Sequence, residues 1–312
     1  MGDATYAQAR ETDTETETDM PASAPAGPAA RMLIARGLVR LRERAGLTQG
    51  QLADAAGCGK ATVGRYEEWQ DRARVKWATV RALADACGAT PDERDALVQL
   101  ARSQGAGWWV GNQAVPEWMD PILSFEEAGE YEHVYASSLV PGLLQTRTYA
   151  LAIHRAQLVR APAAEIEQQV ELRMQRQRVL EREAPPLHLW AILDEAVLRR
   201  EVGGASVMAE QIDHLLAASE RPNVTIQVLP FASGAHAVGA GQPFMIIGRD
   251  DERRPLSAMS VTYLEMHNRG LYLDDASDVA QYKTIFDYLR AQAADPARTA
   301  ELLRTTRREY RP

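Results

Sequence analysis

The chain has 312 residues, 46% of them hydrophobic, and a formal net charge of −8, enough for two packed domains of ordinary water-soluble composition. No apolar run approaches the roughly 18 to 20 residues that cross a bilayer, which excludes a membrane-spanning helix. The start, MGDATYAQARETDTETETDM, is acidic and polar where a secretory signal is basic and then apolar, so the expected location is the cytoplasm.

Charge is unevenly spread. Residues 1–28 carry a net −5, residues 29–105 a net +4 and residues 106–312 a net −7. Phosphate affinity depends on local cations, with screening over about 8 to 10 Å, so a basic module can hold nucleic acid within an acidic chain. Cys58 and Cys87 both fall in the basic segment without a second pair or flanking histidines, so packing is expected of them and no metal.

In chain order, residues 1–28 alternate Thr with Asp or Glu and then turn to Pro and Ala, which predicts a disordered acidic tail. From Arg31, Ile34, Leu38, Leu41 and Ala45 fall at helical spacing, with Arg36, Arg40 and Arg44 on another face, until Gly46. Thr48, with Gln51 three residues on, predicts a capping box for a second helix whose inner face is Leu52, Ala53 and Ala56, and Gly57 marks the turn. A third helix over about 59–67 puts Val63 and Tyr66 inward and leaves Ala61, Thr62 and Arg65 outward. A fourth is expected at about 77–87. A fifth follows from TPDERDALVQLA, where Thr90 caps, Pro91 takes the first helical position and Glu93 completes a capping box.

Residues 105–121 mix Gly and Pro with Trp108, Trp109 and Trp118 and read as a connector that packs on a second domain, residues 122–312. There, helices are expected at about 146–158, 163–182, 206–218, 276–292 and 297–309, and strands at about 187–193, 223–229, 243–248, 259–266 and 270–273. The last three strands are consecutive with short links, which predicts an α+β domain with a mainly antiparallel sheet. Helix 163–182 bears a stripe, Ile166, Val170, Met174 and Leu180, for the domain's own sheet or for a partner.

No GxSxG, HExxH, P-loop or strand-following GxGxxG is present, and the adjacent pairs Glu126–Glu127 and Asp194–Glu195 point apart on a helix, so no enzyme activity, catalytic residue or cofactor is expected. In VPGLLQT, Pro141–Gly142 form a turn and Thr146 caps a helix. Asp194 caps another. Candidate contacts for a ligand or partner are Trp108, Trp109, Gln145 and, in the glycine-rich GAHAVGAGQPF, His236.

The segment TQGQLADAAGCGKATVGRYE, at residues 48–67, resembles the Xre-type, λ-repressor-like helix-turn-helix family. That resemblance implies an all-α five-helix DNA-binding domain over residues 29–104 that reads a double-stranded operator, commonly as a homodimer. It implies that Gln49 meets phosphate or a base edge, that Lys60, Ala61, Thr62 and Arg65 form the reading surface, and that Arg72, Arg74 and Lys76 contact phosphates. Gly59 and Gly64 stand where the family often has Ser, which leaves fewer direct contacts. The stretches FEEAGEYEHVYASSLVPGLLQTRTYA, RQRVL, AILDEAVLRREVGG, VMAEQIDHLL, PNVTIQVLPF, GAHAVGAGQPF and VTYLE resemble the C-terminal domain of actinomycete Xre-type regulators. Such regulators are often encoded beside a small acidic partner protein, are described as antitoxin-like and are associated with control of development and secondary metabolism. The expectation is a transcription regulator whose C-terminal domain receives a partner protein or signal. Its rivals are an antitoxin-like protein that sequesters a small partner, and a repressor that senses a small-molecule effector.

Overall fold

The computed structural model describes residues 27–71, 74–102, 108–109, 112, 115–183, 186–250, 258–266 and 269–310. The expected tail up to residue 26, Arg72 and much of the connector lie outside the described residues.

Helices α1 (Pro28–Arg44), α2 (Gln49–Ala55), α3 (Lys60–Glu67), α4 (Trp77–Ala86) and α5 (Pro91–Arg102) come first. Pro28 occupies the first turn of α1, where its fixed φ suits a helix and its missing N–H costs nothing. Ile34, Leu38 and Leu41 of α1 meet Leu52, Val63, Val80, Leu83 and Leu97, one from each turn facing a common centre. Most of the basic row of α1 is spent within the fold: Arg44 holds Glu93 at 2.6 Å and Arg36 reaches Asp274 at 3.3 Å, while Arg40 stays exposed.

A short 3-10 turn leads into α6 (Asp120–Ala128), β1 (Tyr131–Ala136), α7 (Arg147–Gln157), α8 (Ala163–Arg176), β2 (His188–Asp194), α9 (Glu195–Arg199) and α10 (Ala205–Ala218). Then come β3 (Val224–Leu229), β4 (Phe244–Arg249), β5 (Met259–Met266), β6 (Arg269–Leu273), α11 (Ala276–Gln292) and α12 (Pro296–Glu309). The strands form one sheet in the order β3-β2-β1-β4-β5-β6.

This sheet is mixed, which corrects the expectation of a mainly antiparallel one. β1–β2 and β2–β3 run parallel, while β1–β4, β4–β5 and β5–β6 run antiparallel. Parallel neighbours need a long crossover, and α7 to α8 and α9 to α10 supply the two. The expectation failed because it lacked β1, the strand on which both halves of the sheet pair. Its sequence YEHVYA places a carboxylate and an imidazole mid-strand, which hides the alternation of a buried strand.

One face of the sheet buries Val134, Leu189, Ala191, Leu193, Ile226 and Val228 under Tyr149, Ile212, Leu215 and Leu303 from α7, α10 and α12. The other buries Tyr135, Ile192 and Ile246 under Phe286 and Leu289 of α11. Helix α8 ends at Arg176 and continues as a 3-10 turn over Gln177–Leu180. It lies chiefly against α7 and the turn Gly142–Leu144, while Leu180, the last residue of its apolar stripe, packs in the cluster on the sheet.

The polar exception is deep. Glu126 of α6 is 2% exposed and takes Arg176 Nε on both carboxylate oxygens, at 2.9 and 2.7 Å, with Nη2 also donating. Glu132 is 1% exposed and its Oε2 has no hydrogen-bond partner. Burial holds the Glu132 carboxyl well above the usual carboxylate range, and the Glu126 charge pushes the same way while Arg176 opposes.

Glu126→Ala strands a buried guanidinium and is expected to cost about 3 to 5 kcal/mol in denaturant unfolding, whereas Glu126→Leu with Arg176→Met costs much less. Glu132 keeps its proton when folded and loses it unfolded above its ordinary 4.5, so its contribution is full below that pH and is lost as pH rises through the folded value. Glu132→Gln should therefore raise the melting temperature at neutral pH and flatten its decline with rising pH, and an unchanged slope would refute the buried-acid assignment.

Candidate nucleic-acid interface

The turn between α2 and α3 works because Gly57 takes φ 66°, a left-handed conformation that costs glycine little. Upstream, the capping box forms: Thr48 N donates to Gln51 Oε1 at 2.9 Å and Gln51 N to Thr48 Oγ1 at 3.3 Å. Leu52, Ala53 and Val63 are buried, which fixes the spacing of the two helices and turns the opposite side of α3 outward.

On that side Lys60, Ala61 and Arg65 are exposed and Thr62 is half-buried, at the N-terminal and middle turns of the helix. Arg74 and Lys76 are exposed in the loop that follows. Among the described residues none of these four cations has an ion-pair partner, unlike Arg36, Arg42 and Arg44. A basic, small-residue helix face flanked by unpaired loop cations is what groove entry and phosphate contact require.

Gln49 is placed differently. Its Nε2 donates to Glu67 Oε2 at 2.8 Å, and Glu67 is also held by Arg42 at 2.6 and 3.2 Å. Glu67 thus ties α1, α2 and the end of α3 together, and the Gln49 amide serves that tie. The loop beyond α3 is pinned as well, since Lys76 N donates to the Tyr66 hydroxyl at 2.9 Å. Trp69, 8% exposed, stands edge-on to Phe125 at 5.4 Å and to Tyr272 at 6.0 Å, which seats the end of the reading segment on the second domain. Neither Glu67 nor Trp69 stood out in the sequence as a site residue. The cue was local: both belong to the RYEEW run, residues 65–69, that ends α3 and leads into the following loop.

The other candidate contacts divide. Trp108 and Gln145 line a cavity of about 620 Å³ between the connector, the end of β1, α7 and α8. Trp109 stands edge-on to Trp108 at 5.7 Å, and its indole N–H donates to Asp120 Oδ1 at 2.6 Å. His236 lies outside the cavity lining, with Nε2 3.4 Å from the hydroxyl of Tyr135, which does line it.

Residues 33–97 match a family described as helix-turn-helix domain, and residues 119–305 match one described as domain of unknown function (DUF5753). The chain belongs to the DUF5753 family. No curated protein and no solved structure shows significant similarity to it. The helix-turn-helix match spans the capping box, the Gly57 turn and α3, and a domain of that kind marks a DNA-binding regulator. The DUF5753 match begins at the 3-10 turn before α6 and covers the whole sheet. Among the described residues no helix is long and apolar enough to cross a membrane.

Glu67→Ala removes a partly buried acceptor from both Arg42 and Gln49, and about 1.5 to 3 kcal/mol of stability should go with it in chemical unfolding. A side chain added at Gly64 meets nothing within 4 Å, and the residue lies inside α3. Gly64→Ala should therefore stabilise the chain by about 0.5 to 1 kcal/mol, and a destabilised variant would show that the position is not open.

Proposed function

We propose that the chain is a sequence-specific transcription regulator of the Xre, λ-repressor-like type. In this reading α3 enters the major groove of a double-stranded operator, and a second copy of the chain occupies the other half-site as a homodimer. The observation that carries it is the open reading face: Lys60, Ala61 and Arg65 stay exposed although Trp69, two residues beyond α3, is buried in the second domain. The acidic C-terminal domain therefore docks behind the reading helix and leaves its groove side clear.

The reading assigns Arg65, with Lys60, Ala61 and Thr62, to base edges, and Arg74 and Lys76, with Arg72, to phosphates. Gln49 acts through Glu67 by holding α2 against α3. The C-terminal domain receives a signal or partner protein, without catalysis and without a cofactor.

Selection of genomic fragments by the full-length chain tests this. One symmetric site should be enriched. On that site Arg65→Ala should lose about 1 to 3 kcal/mol of preference over random duplex, while Arg74→Ala weakens specific and random duplex alike and lowers the salt slope by about one. Equal effects of the two substitutions on both duplexes would refute the assignment.

A further inference from the structure

We propose that the cavity of about 620 Å³ beside the connector binds an amphipathic monocarboxylate, its acid group held by Arg173 and Tyr263 and its apolar body against the connector and sheet. The inference deepens the signal-receiving part of the proposed function and names the class of signal.

The volume falls in the range of small-molecule sites, and the walls have the expected make-up, mostly apolar with a few convergent polar groups. Trp118, Leu123, Leu172, Phe244 and Met245 supply apolar and aromatic surface. Against them stand polar groups that the fold leaves unsatisfied. The Tyr263 hydroxyl is buried on a residue 1% exposed and has no hydrogen-bond partner. His154, 7% exposed, has an equally unpartnered Nε2. Buried polar atoms without partners are rare in folded proteins, because each forfeits its hydration.

Arg173 sets the sign of the ligand. Among the described residues its guanidinium makes one long hydrogen bond, from Nη1 to Gln145 Oε1 at 3.4 Å, and no ion pair. Its neighbour Arg176 is consumed by Glu126. Of the two carboxylates on the lining, both exposed, Glu165 and Glu265, the charge of Glu265 is felt at Arg173 and at Tyr263, but it forms no ion pair with Arg173. Burial, with Arg176 beside it, holds the Arg173 guanidinium below its ordinary value, at about 10, and the cation persists at neutral pH. Burial followed by Arg173 pushes His154 down to about 4, so that ring is neutral there and offers a hydrogen bond without a charge.

Among the described residues the site therefore offers one cation without an ion-pair partner, one hydroxyl donor and one neutral imidazole in a mostly apolar chamber. A carboxylate matches it, with a single negative charge and a planar pair of acceptors that a guanidinium can chelate. A phosphate would bring a second charge with no second free cation among the described lining residues to meet it. Position 142 fits the same purpose: a Cβ there would fall 2.5 Å from Arg173 Nη1, so glycine in the VPGLLQT turn lets the guanidinium lie over the backbone beside Gln145.

Isothermal titration calorimetry on the full-length chain without DNA tests the site, so its failure is separable from failure of operator binding. The probes are phenylbutyrate and decanoate, with phenylbutanol as the neutral counterpart. Phenylbutyrate should bind about ten- to a hundredfold more tightly than phenylbutanol. Arg173→Gln should erase that preference and leave phenylbutanol affinity unchanged. Tyr263→Phe, which opens no hole, should weaken phenylbutyrate alone and carries the test if Arg173→Gln does not fold. Equal affinity for acid and alcohol, absence of binding by both acids, or a preference that survives Arg173→Gln and Tyr263→Phe overturns the proposal.

Discussion

The orientation of α3 depends on an apolar seam centred on Trp69. The ring meets Phe125 of α6 and Tyr272 of β6, and the same cluster takes in Met32 and Leu33 of α1 and Ile247, Met259 and Val261 of the sheet. Each edge-on aromatic pair adds about 0.5 to 1.5 kcal/mol beyond the area it buries. Two domains in one chain move relative to each other by default unless the surface between them is large and apolar. Here the seam is continuous with the sheet's own packing, so α3 points where the C-terminal domain sets it. Arg36 with Asp274, at 3.3 Å on the rim, adds direction more than energy.

Helix α6 bears this seam on one side and the charged cluster on the other. Phe125 faces Trp69, while the next residue, Glu126, faces Arg176 of α8. Arg182 donates to the carbonyls of Glu127 and Gly129 and so caps the end of α6, where the helix dipole favours a cation. A buried ion pair adds little net stability, since desolvation offsets the attraction. What this one supplies is position: a guanidinium that takes both oxygens of Glu126 fixes the rotation of α6, and with it the side from which Phe125 meets the reading segment. Burial and the neighbouring Glu126 charge both favour the protonated form of Glu132, which adds no second negative charge beside the pair.

The parts legible in the sequence were those whose signals are local. Thr48 with Gln51, and Thr90 with Glu93, form the capping boxes their spacing announced, and Gly57 takes the turn. Val63 went inward and Arg65 outward as helical periodicity required. The illegible parts depend on partners distant in the chain. Glu126 lies 50 residues from Arg176, and Gln49 finds Glu67 18 residues on, so neither pairing leaves a trace in spacing. β1 was missed for the same reason. Glu132 reads as a surface acid until Arg176 and Glu126 are in place around it, and without β1 the parallel half of the sheet had no origin. Of the candidate ligand contacts, Trp108 and Gln145 share a cavity, but its charge comes from Arg173, which sequence alone cannot separate from the buried, paired Arg176 or the exposed Arg178 close by.

The cavity and the seam have walls in common. Leu123, Met245 and Tyr263 belong to both, and the Tyr263 ring lies 4.9 Å from Tyr272, which in turn meets Trp69. Adjacency alone is not coupling; an element must respond to both sites. The response here is constrained by Gly270, where a Cβ would fall 2.2 Å from the Tyr263 ring. The ring is therefore laid directly on the β6 backbone and has no room to retreat in that direction. From the cavity wall, Tyr263 leads by direct ring contact to Tyr272, and Leu123 leads along α6 to Phe125. Both routes end at Trp69, and Trp69 is two residues from the end of α3.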